Sequence, residues 1–98
     1  MSTTLNHDTA TTFVVVATIR PNTDFVRFAA LRADEERQLE VLHSDGRIGA
    51  HHMAPARQTA FIEVIAADES QVLETLATLP LFQFFDLDIY ATTSGSTT

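Results

Sequence analysis

The chain contains no cysteine and no tryptophan. Lysine is missing as well, so all the basic charge comes from arginine, at 20, 27, 32, 37, 47 and 57. Without a thiol there is no disulfide framework, thiolate nucleophile, zinc–thiolate site or iron–sulfur cluster. Without lysine there is no Schiff base and no lysine-anchored pyridoxal phosphate. Positive charge is scarce: 6 basic against 13 acidic side chains give a formal net charge of -7. That balance argues against nucleic acid, whose binding needs clustered cations, and against an anionic membrane surface. No apolar run approaches the ~18 residues of a membrane span. The first residues carry neither a basic nor an apolar leader segment, so the expected location is the cytoplasm. A length of 98 residues bounds the chain to one domain with a modest core.

Glycine and proline are also few, three of each, and they punctuate what is there. Residues 1–12 and 92–98 are dominated by Thr, Ser, Asn and Asp, and are expected to be flexible tails around a folded domain over 13–91. Phe13 to Ile19 is a β-branched run, apolar on both faces, that predicts a buried strand. Asp24 to His43 lacks Gly and Pro and predicts one long helix, stopped at Gly46. Arg47 to Met53 reads as a weak strand or loop, and Ala54–Arg57 as a connection. Thr59 to Ala66 is the clearest strand. Asp68 caps a second helix over about 69–78, Pro80 closes it, and Phe84 to Ala91 forms the last strand. The order β-α-β-β-α-β is that of a ferredoxin-like α+β sandwich. Helices on one face leave the other sheet face open, and Val14, Val16, Phe61 and Ile65 make both faces apolar. A chain this short is expected to cover that face with a second copy of itself.

One residue breaks the pattern. On a helical wheel Phe25, Phe28, Leu31, Leu39 and Leu42 fall within a sector of roughly 120°, and Glu35 sits near its centre. A carboxylate in an apolar stripe is costly unless paired or used. Burial would raise its pKa toward the range of a general acid or base. The structural alternative is an ion pair with Arg32, three residues earlier, at the helix edge. His51 and His52 are adjacent on an extended segment and therefore point to opposite faces. They cannot jointly ligate one metal, no metal site is expected, and either can serve as a proton carrier or simply sit on the surface. Asp86 and Asp88 share a face with Phe84 and Tyr90, where charge discourages edge association. Arg57 can hold a carboxylate or be a solvated loop residue. No phosphate cradle or catalytic triad spacing occurs.

Two segments together resemble the muconolactone isomerase family. The first is Leu31-Arg-Ala-Asp-Glu-Glu-Arg-Gln-Leu39, followed by Asp45-Gly46. The second is Leu79-Pro-Leu-Phe-Gln-Phe-Phe-Asp-Leu-Asp-Ile89. The resemblance spans roughly 20–91, and Glu35 matches the Glu of the family's Ala-Asp-Glu. It implies a dimeric α+β barrel, larger homo-oligomers in some members, and an isomerase without cofactor or metal that shifts a double bond in a small unsaturated lactone acid during aromatic-compound breakdown. Two departures stand out. Residues 47–57 lack the family's Trp, and Val14-Val15-Val16 offers no polar side chain. Both point to a more apolar pocket and to a larger substrate, such as a polyketide-like intermediate of secondary metabolism.

The expected function is a proton-transfer isomerase acting on a small lactone or related cyclic carbonyl compound. Glu35 is its candidate catalytic residue, and Arg32, His51, His52, Arg57, Phe82 and Phe85 are its candidate substrate-binding residues. The alternatives are a cofactor-free monooxygenase or polyketide cyclase on the same barrel, and a non-catalytic module that binds a small ligand.

Overall fold

A computed structural model describes residues 10–93 of the chain. Its elements are β1 (Thr11–Ile19), α1 (Phe25–Ala30), α2 (Arg32–Ser44), β2 (Ile48–Ala54), β3 (Thr59–Ala66), α3 (Glu69–Leu76) and β4 (Phe85–Ala91), with short 3-10 turns at Pro55–Arg57 and Phe82–Phe84. The four strands form one sheet in the order β2-β3-β1-β4. Every neighbouring pair is antiparallel. This is an α+β architecture. No described helix is long and apolar enough to cross a membrane.

Strand alternation builds the core. Phe13, Val15 and Ala17 of β1 turn to the helices, as do Ala60, Ile62, Val64 and Ala66 of β3. They pair directly in register, Phe13 with Val64, Val15 with Ile62 and Ala17 with Ala60. Leu42 of α2 and Val72 and Leu76 of α3 close over them. The opposite sheet face carries Val14, Val16, Phe61, Ile65 and Tyr90, and no described element packs over it; Phe61 is 40%, Ile65 38% and Tyr90 56% exposed.

The caps follow local chemistry. Asp24 accepts from the amides of Val26 and Arg27 at the start of α1. Asp68 accepts from Gln71 at the start of α3. Gly46, at φ 76, ends α2, and the Arg47 amide reaches back to the Leu42 carbonyl at 2.9 Å.

Several expectations are corrected. The long helix over 24–43 is two helices, broken at Leu31, whose amide is shared between the carbonyls of Arg27 and Phe28. The two halves pack on different partners. Phe28 meets the rings of Phe84 and Phe85 at 5.6 and 6.2 Å, whereas Leu39 and Leu42 lie against the sheet core. Phe25 and Val26 of α1 are exposed at 51% and 82%. Of the two options for Arg47–Met53, weak strand or loop, the strand is found: β2 takes in Ala54, expected in the connection, and has an irregularity between Ile48 and His51 that blurs its alternation. Phe84 does not share the face of Asp86 and Asp88. It lies in the 3-10 turn before β4 and is buried. The expected tails fall mostly outside the described residues. Thr11 and Thr12, however, belong to β1 and pair with Ala66 and Ile65, and the Thr92 hydroxyl donates to the Thr12 carbonyl at 2.6 Å.

Candidate active site

A cavity of about 500 Å³ lies between the helices and the sheet. Its walls are mostly apolar and come from every layer. α1 gives Phe25 and Phe28, α2 gives Leu39, the sheet gives Ala60, Ile62, Phe85 and Leu87, and the segment before β4 gives Leu79, Leu81 and Phe82. The size is within the range of small-molecule sites, about 300–1,000 Å³. Few polar side chains reach it: Arg32, Glu35, Glu36, His51, Gln58 and Thr59.

Glu35 is the best defined of these. It sits in the first turn of α2 and is half-buried. Its Oε1 accepts a hydrogen bond from the Leu81 amide at 2.9 Å. That amide follows Pro80 in an irregular turn and has no carbonyl partner among the described residues, so the carboxylate satisfies a buried donor. A second bond joins the same elements, from Gln38 Nε2 to Thr78 Oγ1 at 2.9 Å. Burial pushes the Glu35 carboxyl above the usual carboxylate range, and the Leu81 amide offsets part of that rise by favouring the charged form. Among the described residues no donor reaches its second oxygen. The two sequence segments singled out above therefore meet at one hydrogen bond, Glu35 from the first and Leu81 from the second.

The ion pair between Glu35 and Arg32 does not form. The ion pairs among the described residues are Arg20 with Asp86 at 3.0 Å and Arg37 with Asp34. Arg32 is exposed at the cavity wall, on the same helix as the carboxylate and without an ion-pair partner among the described residues. His51 also lines the cavity and stands opposite Ile62 on the helix face. His52 stands opposite Phe61 on the other face. Arg57 is exposed in the 3-10 turn after β2 and does not line the cavity. Phe82 and Phe85 line it, as proposed from the second segment. Sequence reasoning missed Phe25, Phe28, Met53 and Gln58 as wall residues. The phenylalanines had a signal in the apolar stripe of α1. Gln58, in the left-handed region at φ 50, had none.

An outer groove of about 590 Å³ adjoins the cavity and shares Glu36, Leu39 and His51 with it; Glu40, His43 and Ser44 complete it. Among the described residues no group of three or more His, Asp or Glu is placed to hold a metal ion. What the arrangement can do chemically is bind a mostly apolar molecule and exchange a proton with it at Glu35. No model of a known protein family matches this chain, and no curated protein matches it significantly.

Proposed function

We propose that the protein is a cofactor-independent isomerase that shifts a double bond in a small unsaturated lactone or related cyclic carbonyl compound. The single observation that carries this reading is Glu35, a carboxyl held by one oxygen in an apolar cavity and raised in pKa by burial. Raising the pKa strengthens the carboxylate as a base and brings it closer to the working pH, where general acid–base catalysis is most effective. Glu35 takes a proton from the carbon alpha or gamma to the carbonyl. The electron pair moves into a dienolate, and Glu35, whose proton exchanges with solvent while it is held there, delivers a proton to a different carbon. No net oxidation occurs. Arg32 or His51, on the cavity wall, stabilises the negative oxygen of the dienolate. The Leu81 amide fixes the carboxylate so that little orientation is lost at each turnover.

The resemblance to the muconolactone isomerase family supports this chemistry through the same residue. The antiparallel order β2-β3-β1-β4 fits the ferredoxin-like arrangement expected from the sequence. The uncovered face of Val14, Val16, Phe61, Ile65 and Tyr90 favours a homodimer closing as an α+β barrel. A second reading draws on the four phenyl rings of the wall, Phe25, Phe28, Phe82 and Phe85, which suit a flat aromatic compound. In that case the protein is a cofactor-free monooxygenase or polyketide cyclase. Ultraviolet absorbance with a muconolactone-type lactone, run beside an oxygen electrode, tests both. Turnover without oxygen uptake is the expected result. Inertness toward lactones, with oxygen consumed on an aromatic substrate, replaces the first reading with the second.

A further inference from the structure

Strand β2 contains a bulge that decides which histidine enters the cavity. Ile48 stands opposite Val64 and His51 opposite Ile62. β2 thus advances three residues, from 48 to 51, while β3 advances two, from 64 to 62. Gly49 and Ala50 together face the single residue Glu63, the two-against-one arrangement of a β-bulge. In a regular strand residues three apart lie on opposite faces. The extra residue lets Ile48, 2% exposed in the core, and His51, at the cavity, share the helix face. Without it, a strand anchored at Ile48 puts His52 at the cavity and His51 on the opposite face.

Two observations show what holds the bulge. The Glu63 Oε1 accepts a hydrogen bond from the Ala50 amide, inside the irregular stretch, at 3.2 Å. Position 49 is glycine, and a Cβ there would lie 2.7 Å from that same oxygen. Gly49 does not have a positive φ, so its missing side chain serves space and not backbone conformation. The space is the seat of the Glu63 carboxylate.

We propose that Glu63 is a positioning residue, acting from the far face of the sheet, whose carboxylate pins the Gly49–Ala50 bulge and so presents His51, and not His52, to the cavity. Its consequence for catalysis rests on the isomerase reading of the cavity; the placement of His51 does not. The specificity it confers is the choice of imidazole that meets the ligand.

NMR of the full chain tests this without a ligand. In the wild type the His51 imidazole gives nuclear Overhauser contacts to Ile62 and Leu39, and His52 gives them to Phe61. Glu63→Gln retains an acceptor oxygen and preserves this pattern. Glu63→Leu and Gly49→Ala both remove the bond, the first by deleting the acceptor and the second by occupying its seat. Both weaken the His51–Ile62 contact at least about twofold and speed Ala50 amide exchange about fivefold to tenfold, the range of one net hydrogen bond. Combining the two adds nothing further. Should Glu63→Leu fail to fold, Gly49→Ala carries the test, because it displaces only the end of a flexible side chain. Unchanged contacts and exchange in folded variants, or additive effects in the double variant, overturn the proposal. A protein inert toward lactones but with this contact pattern intact removes the isomerase reading alone.

Discussion

Replacing Glu35 tests two forces that oppose each other at one side chain. Glu35→Ala removes the acceptor for the Leu81 amide, which belongs to a residue only 6% exposed. A buried donor left unsatisfied costs about 1–3 kcal/mol. Taking about 2 kcal/mol, and roughly 4–8 °C per kcal/mol for a domain of this size, the melting temperature falls by roughly 8–16 °C. Glu35→Gln keeps an acceptor oxygen and removes the ionisable group, so it isolates the charge. Burial raises the folded-state pKa of Glu35, so the folded chain holds this proton more tightly than the unfolded chain. The contribution to stability is complete below the unfolded pKa and is lost as pH rises through the folded value. Wild type is therefore close to Glu35→Gln in stability under acid conditions, and Glu35→Gln becomes the more stable of the two at neutral and higher pH. Thermal melts of the three proteins by circular dichroism, from about pH 4 to about pH 8, measure this across the carboxylate range. Two results refute the reasoning. One is a wild type that gains on Glu35→Gln as pH rises. The other is a Glu35→Ala variant no less stable than Glu35→Gln.

Two further substitutions separate the inner and outer faces of the sheet. Leu42, 1% exposed, is the main core anchor of α2, and Leu42→Ala should cost about 2–5 kcal/mol in urea unfolding, the range for a buried leucine; a loss below 1 kcal/mol would mean that α2 is not held by its apolar contact. Val16→Asp places a charge in the middle of the uncovered face beside Phe61 and Asp88. Light scattering should then report the mass of one 10.8 kDa chain for the variant and twice that for the wild type, and a wild type that stays at one chain mass contradicts the proposed dimer.

The parts of this fold that were legible in the sequence are those set by local pattern. Thr59–Ala66 reads as a strand because it is an apolar, partly β-branched run with a single Glu inside it, and it is one with the same ends. Glu35 could be found because helical periodicity alone places it among apolar neighbours. Its partner could not, since the Leu81 amide is 46 residues away in sequence and backbone donors leave no trace in a residue string. The break at Leu31 was illegible for a related reason. No glycine or proline marks it, and it follows from Phe28 packing on Phe84 and Phe85. β2 was blurred by its own bulge, because two residues facing one destroy the alternation on which a strand is recognised. The bulge also settles what the His51-His52 pair left open, since parity says only that the two face opposite ways.

The central claim is that Glu35 moves a proton within the cavity. Its most direct measurement is the rate of solvent-deuterium incorporation into a muconolactone-type lactone, followed by mass spectrometry for the wild type and for Glu35→Gln. The wild type should exchange deuterium at the carbon that gains or loses hydrogen, and Glu35→Gln should do so about 10²–10⁴-fold more slowly, the usual contribution of a general base. Equal rates in the two proteins, with both folded, would contradict the account.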